Sequence, residues 1–407
     1  DCAEFSGVGG LSFVDVTIDE ITDVVTKGTT PTTYGMPFTD DGVNFVKAEA
    51  LNGDVRLDRS GFTFVSEETH EKLKRSQLHK DDVLITIAGA NVGKCGFVKE
   101  SDLPANTNQA VGIVRVNQKQ AWPRFVYYHF KNPATFAISQ NMSGQAAQPN
   151  INLTVLKGFK LQLPDYDVQK KIAEKLTAYD DLIENNRRRI QLLEESARLL
   201  YKEWFVQLRF PGHEHVKIVD GVPEGWSKVR LVDLAELTMG QSPKSEFYNE
   251  NGEGLPFHQG VTNYGFRFVD NKTYCSKITR LAEAGDILCS VRAPVGRLNL
   301  TLDKMILGRG LSAIRSKSGR QSFLFYALRS FFFKEDIMGN GAIYASVTKK
   351  DMENIELHTP PLLLEQQFEE FASDIDVQIM NLSKQNKQLV QARDILLPRL
   401  MNGTLTV

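Results

Sequence analysis

A glycine-rich stretch, Ala88-Gly-Ala-Asn-Val-Gly-Lys-Cys95, has the residue types of a phosphate-binding loop. That chemistry needs four residues between the glycines, and a Ser or Thr after the lysine to hold magnesium. Here three residues intervene and Cys95 follows Lys94, while a similar stretch, Arg292-Ala-Pro-Val-Gly-Arg297, departs further. Both read as strand, turn, strand. Asn132-Pro-Ala-Thr135 begins like the Asn-Pro-Pro-Tyr motif of amino-methyltransferases, but it lacks the aromatic end and no glycine-rich cofactor loop precedes it. It reads as a turn. Pro164-Asp165 could open a nuclease carboxylate site, yet no acidic-x-Lys partner sits nearby; Asp165 suits the positive end of a helix dipole. His213 and His215 lie in a linker between Pro211 and Pro223, with no cysteine or acidic cluster to complete a metal site. No Gly-x-Ser-x-Gly elbow occurs. No constellation here is catalytic.

A second kind of chemistry needs no catalyst. Base edges are read by Arg, Lys, Asn and Gln, with Ser and Thr as adaptable partners. Such side chains gather in loops at two places: Lys27, Thr29, Thr30, Tyr34, Lys47, Asn108, Gln109, Gln145, Gln148 and Asn150, then Gln241, Ser242, Lys244, His258, Gln259, Arg292, Arg297, Arg309, Tyr344 and Lys349. The glycine loops at Gly28 and Gly240, and the amide-rich segment Gly144-Gln-Ala-Ala-Gln-Pro-Asn150, are the strongest of these. Polar loop residues otherwise face water. Phe125, Tyr127, Tyr128, Phe323, Phe325 and Tyr326 are expected in the core rather than stacked on bases.

The two sets occupy equivalent places because the chain repeats itself. Lys27-Gly-Thr-Thr-Pro31 returns as Met239-Gly-Gln-Ser-Pro243, and Gly61-Phe-Thr-Phe-Val65 as Gly265-Phe-Arg-Phe-Val269. Asp82-Val-Leu-Ile-Thr-Ile87 returns as Asp286-Ile-Leu-Cys-Ser-Val291, Val92-Gly-Lys94 as Val295-Gly-Arg297, and Phe125-Val-Tyr-Tyr128 as Phe323-Leu-Phe-Tyr326. The order never changes, while the offset drifts from 212 to 198. Chance similarity does not behave so.

Each copy holds a mixed part followed by a long helix. The mixed part has short β-rich runs punctuated by Gly, Pro and Asn, and an aromatic helix near 123–138 or 321–334. In the first long helix, apolar residues at Ile172, Leu176, Tyr179, Ile183, Ile190, Leu193, Ala197, Leu200 and Trp204 step alternately by four and three, with Asn186 filling the remaining seam position. That heptad rhythm predicts a coiled coil. The second helix keeps the seam at Phe368, Ala372, Ile375, Ile379, Leu382, Asn386, Leu389, Arg393, Leu396 and Leu400. Polar seam residues lower stability but fix register and partner. Some 35 residues make a rod of roughly 50 Å, and two rods in one chain most simply pair antiparallel, with a head at either end. The fold class expected is α+β: two mixed α/β heads, separated by two long helices forming an antiparallel coiled coil, with internal pseudo-twofold repeat. The boundaries are 1–164, 165–205, 206–360 and 361–407.

The chain of 407 residues exceeds one ordinary core. With 42% hydrophobic and 24% charged residues, it is neither disordered nor fibrous. No run of 18 apolar residues predicts a membrane span, and the acidic start (Asp1, Glu4) does not read as a secretory signal. Four cysteines without a Cys-x-x-Cys pair read as reduced thiols, which places the protein in the cytoplasm. A net charge of -2 argues against an unselective nucleic-acid coat, so any electrostatic footprint is local. Two diverged heads on a rigid spacer suit a bipartite DNA target, whose faces recur about every 34–36 Å.

Here the sequence resembles the specificity (S, HsdS) subunits of type I restriction-modification enzymes. The likeness rests on the loops Gly28-Thr-Thr-Pro31 and Gly240-Gln-Ser-Pro243 and on the two Asp-Val/Ile-Leu strands. It rests also on Leu163-Pro-Asp-Tyr-Asp-Val-Gln169 and Pro360-Pro-Leu-Leu-Leu-Glu-Gln366 leading into long helices, and on Trp204-Phe205 followed by Gly221-Val-Pro-Glu-Gly-Trp226. It spans nearly the whole chain. Departures are Val168, where the family usually has Glu, and a first head without the usual Pro-x-Gly-Trp opening. The resemblance implies a non-catalytic subunit whose two target-recognition domains each read one half of an interrupted DNA sequence, the helices setting the gap. It also implies two methyltransferase (M) subunits, which bring S-adenosylmethionine to methylate adenine, and two restriction (R) motor-nuclease subunits, which use ATP and Mg. The chain itself would bind no cofactor or metal. Two readings compete: a stand-alone methyltransferase or combined restriction enzyme with fused specificity domains, against which the missing cofactor and catalytic motifs count, and a coiled-coil scaffold binding other proteins.

Overall fold

The computed structural model describes residues 12–52, 56–142, 150–332 and 346–407. The chain forms two compact units, Asp1–Asn186 with Lys384–Val407, and Arg187–Ser383.

In the first unit a four-stranded antiparallel sheet runs in the order Thr22–Lys27, Val111–Val116, Val83–Thr86, Cys95–Phe97. Val83–Thr86 is buried along its whole length, because both faces of the sheet are covered. Val83 and Ile85 point to a core completed by the aromatic helix Pro123–Lys131, whereas Leu84 points to a second core with Val46, Leu51 and Leu57. This is the period-2 alternation of a strand. The second core is backed by a three-stranded sheet in which Val43–Val46 pairs parallel with Ala105–Thr107. Asp82, just ahead of the central strand, receives Arg115 Nε and Nη2, both at 2.8 Å, and accepts the His79 N–H. The Asp-Val-Leu motif is thus an ion-paired strand start.

The second unit repeats this bonding. Ala235–Met239, Leu311–Ser316, Ile287–Ser290 and Leu298–Leu300 form a sheet of the same order and sense. Ile287 and Cys289 face the core that holds Gln321–Phe332, while Leu288 faces the smaller one. Leu255–His258 pairs parallel with Met305–Leu307. Asp286 receives Arg315 at 2.7 and 2.9 Å. Ser227–Arg230 pairs with Glu356–Thr359, as Val14–Thr17 pairs with Lys160–Leu163 in the first unit.

The long helices are Tyr166–Tyr201, continued by a π turn over Lys202–Val206, and Leu362–Met401. Seam residues Ile172, Leu176, Ile183, Asn186, Ile190 and Ala197 are buried, as are Phe368, Ala372, Ile375, Ile379, Leu382, Arg393 and Leu400. Asp180 meets Arg393 in the first unit, and Tyr201 meets Phe368 in the second at 5.5 Å between ring centres. Later residues on one helix therefore face earlier ones on the other, and the pairing is antiparallel. The aromatic helices attach to these rods through their N-termini. Gln169 Oε1 accepts the Trp122 N–H at 2.9 Å, and Glu369 accepts those of Ser322 and Phe323. Unpaired amides at a helix start favour an acceptor there.

One expected helix is two. The segment near 123–138 stops at Lys131 and restarts at Pro133, because a proline disfavours helical backbone in the residue before it. Asn132 takes an extended ψ of 129°, and its side chain accepts the Ala134 N–H.

Candidate nucleic-acid interface

The sites begin with two glycines that only glycine can satisfy. A Cβ on Gly28 would lie 2.1 Å from the Thr107 carbonyl oxygen, and one on Gly240 would lie 2.1 Å from that of Gly308. Without a side chain, each loop presses its backbone against a neighbouring loop. Gly28 N–H donates to Val111 and Thr29 N–H to Thr107. Likewise Gly240 N–H donates to Leu311 and Gln241 N–H to Leu307.

This packing brings the first set together. Gly28, between Lys27 and Thr29, lies against the Thr107 and Asn108 carbonyls, and Lys47 directly follows the parallel pair Val46–Thr107. The Lys47 ammonium sits 4.6 Å from the Phe38 ring centre. Ile87 N–H donates to Ala110, Ile151 N–H donates to Ile87, and Ala88 bridges to Asn150, so Asn150 reaches the same edge. Lys27, Tyr34, Gln109 and Asn150 are exposed. Gln145 and Gln148 lie outside the described residues.

The second set converges through equivalent bonds. Ser242 Oγ donates to Gln259 Oε1 at 2.8 Å and accepts the Arg309 N–H at 3.0 Å. Gly308 N–H donates to His258 and Gly310 N–H to Gln259. Val291 N–H donates to Gly310, Val347 N–H donates to Val291, and Arg292 bridges to Ser346. Gln241, Gln259, Arg292, Arg297 and Arg309 are exposed. Lys349 opens the short helix Lys349–Glu353 and pairs with Glu353, and Lys244 lies near Glu246. Tyr344 lies outside the described residues. His258 differs from its neighbours: it is buried, its Nε2 is 2.9 Å from Asn271 Oδ1, and burial lowers its pKa, which favours the neutral ring.

Two residues absent from the sequence reading join these clusters. Arg75 Nη2 donates to Thr29 Oγ1 at 3.2 Å, and Thr279 Oγ1 donates to the Gln241 carbonyl at 2.7 Å. Positions 75 and 279 share the offset of the two Asp-led strands, 204 residues. That constant offset could have found them, but an arginine and a threonine share no type for a self-comparison to register.

The aromatic residues Phe125, Tyr127, Tyr128, Phe323, Phe325 and Tyr326 are buried in the cores. The Gly89–Lys94 segment closes a hairpin through Thr86 and Gly93, with no phosphate-loop form. Among the described residues no group of His, Cys, Asp or Glu could hold a metal ion, and no helix is long and apolar enough to cross a membrane.

The two units are of one design, and each gathers amides and cations at one loop junction. Residues 12–195 and 223–391 match the family described as Type I restriction modification DNA specificity domain, and the chain belongs to that family. It is similar to the putative type I restriction enzyme MjaX specificity subunit of Methanocaldococcus jannaschii, at 29% identity over 90% of this chain and 88% of the relative. The MjaIX specificity subunit of the same organism is 26% identical over 97% of this chain and 94% of its own length. A solved Type-I restriction-modification system S subunit from M. genitalium has the same fold, with a TM-score of 0.61 and 17% identity over 98% of each chain.

Proposed function

We propose that this chain directs a type I restriction-modification complex to an interrupted DNA sequence, each head reading one half. The observation that supports this most is the duplicated loop junction, built by equivalent backbone bonds around Gly28 and Gly240. Equal scaffolds hold unequal side chains, with Thr29, Asn108 and Gln109 in one and Gln241, Gln259, Arg292 and Arg309 in the other. Arg pairs bidentately with guanine, and Asn or Gln with adenine. Diverged sets on like frames therefore read unlike half-sites.

The heads occupy residues 1–164 and 206–360, and the helical segments 165–205 and 361–407. The long helices set the gap and dock two methyltransferase subunits, and two motor-nuclease subunits complete the assembly. S-adenosylmethionine, ATP and magnesium belong to those partners, where adenine methylation and cleavage take place. The near-neutral charge of this chain accords with partners that supply part of the clamp around DNA.

The test is co-expression with the cognate methyltransferase subunit, followed by mapping of methylated adenines across the host genome. A two-part motif that disappears when this chain is omitted is the expected result. Unchanged methylation despite a soluble complex would favour a protein-binding scaffold. Inserting four residues at matched positions in both long helices should alter the gap and leave both half-sequences intact.

A further inference from the structure

The second unit contains a buried ion cluster that the loop junctions do not use. Arg267, 3% exposed, sends Nη1 to Glu194 on the first long helix at 3.2 Å, and Nη2 to Asp376 on the second. Arg329 of the aromatic helix also pairs with Glu194. The Arg267 guanidinium lies 3.6 Å from the Phe325 ring centre. Two cations and two carboxylates balance, as burial of charge requires.

The repeat shows what is particular about Arg267. Asp376 corresponds to Asp180 at the helix offset of 196. In the first unit Asp180 is neutralised from within the helix pair, by Arg393 at 2.6 Å, and from the head it accepts the Tyr128 hydroxyl. The position equivalent to Arg393 is Ala197, and the position equivalent to Arg267 is Thr63. In the second unit the arginine that meets this aspartate therefore stands on the head, where in the first unit it stands on the helix. Arg267 is also rigidly placed on that head. Its carbonyl accepts the Leu300 N–H at 2.9 Å, and Asn299 Nδ2 donates to the Gly265 carbonyl. Four residues further on, Asn271 bonds His258, the neighbour of Gln259. One short segment therefore runs from the helix carboxylates to the side-chain cluster at the loop junction.

We infer that Arg267 is a positioning residue that sets the orientation of the second recognition domain on its helix pair, and through it the gap at which the second half-site is accepted. A planar fork held by two carboxylates on two different helices and stacked on an aromatic face resists rotation in a way a single charge does not. The inference rests on the proposed bipartite reading.

The experiment places Arg267→Gln and, separately, Asp376→Asn in the full chain, co-expressed with its methyltransferase subunit, and maps methylated adenines. Asp376→Asn keeps an amide oxygen that can accept from Arg267 and leaves both arginines their contact with Glu194, so it disturbs the fold less than loss of the arginine. Both half-sequences should persist in both variants. Methylation at gaps one base pair longer or shorter should rise relative to the native gap by about tenfold or more, equivalent to about 1.4 kcal/mol of lost selectivity. Arg267→Lys, which keeps the charge without the fork, should fall between. A single native gap in both variants, methylated to a lower extent, would mean that the cluster only stabilises the unit and would overturn the inference. If the unaltered chain itself gives no two-part motif, it is the functional reading that fails.

Discussion

Arg393 Nη1 donates to Asp180 Oδ1 at 2.6 Å, and the two side chains are only 6% and 5% exposed. The other Asp180 oxygen accepts the Tyr128 hydroxyl at 2.6 Å. One carboxylate therefore ties the first head to one helix and that helix to the other. A charged arginine in a seam that is otherwise mostly apolar is explained by this partner. Buried polar seam groups act by making other registers unfavourable, since a slipped helix would leave the charge unpaired.

Arg393→Met should therefore be far more damaging than an exposed charge change. It strands Asp180 with a single neutral donor in a dry seam, a loss of about 3–5 kcal/mol for one half of a buried pair. Urea unfolding of the complex, followed by a probe in the first unit, should show a clearly lower midpoint. Arg198→Met, which removes a pair at the rim with Glu195, should move it by less than about 1 kcal/mol. Equal shifts would show that the Asp180 bond carries no special weight.

Gly28→Ala and Gly240→Ala should act on one half-site each. In both, the new methyl group meets a backbone carbonyl at 2.1 Å, which cannot rotate away as a side chain would. The loop must lift from Thr107 in one case and from Gly308 in the other. Methylome maps should show Gly28→Ala degrading one half of the motif and Gly240→Ala the other. Loss of the same half in both variants would contradict a separate reader in each head.

Arg309→Ala and Gln109→Ala test the side chains that those loops carry. Both residues are exposed beside a glycine loop. A base-reading contact is worth about 1–3 kcal/mol and its loss relaxes one position of the motif. A phosphate contact instead weakens every site alike and reduces the salt slope by about one. Binding of the complex to duplexes with single substitutions in either half, at two salt concentrations, separates these outcomes.

The duplication was legible because it preserves residues whose types are structurally dictated. Gly28 and Gly240 leave no room for a Cβ, and Asp82 and Asp286 each bind an arginine across the sheet. The heptad seam was legible for the same reason, as burial at Ile172, Leu176, Ile379 and Leu382 follows the four-three rhythm. The break at Asn132 was harder to place, since Asn-Pro within an aromatic run signals a turn without saying whether the helix resumes. His258 stands among the base-reading candidates by residue type, yet it is buried, and nothing in Leu-Pro-Phe-His announces that Asn271 will cover it. Arg267 was invisible for a different reason. An arginine between two phenylalanines in a loop reads as solvated, and its carboxylate partners lie 73 and 109 residues away on other elements.

His129 provides an acid-sensitivity test of the first core. Burial holds its pKa down to about 4, and its Nε2 has no partner among the described residues. An unfolded chain would titrate it near 6.5. Above that value the ring is neutral in both states and contributes no pH dependence. As pH falls from about 6.5 toward 4, the unfolded state takes up a proton that the folded state refuses, so stability is lost across that window. At pH 5, about 1.5 units below the unfolded pKa, the loss corresponds to roughly 2 kcal/mol. His129→Gln cannot titrate, so its urea midpoint should fall less between pH 7 and pH 5 than that of the unaltered chain. Parallel midpoints in the two proteins would mean that His129 reaches water in the folded state and takes up its proton there.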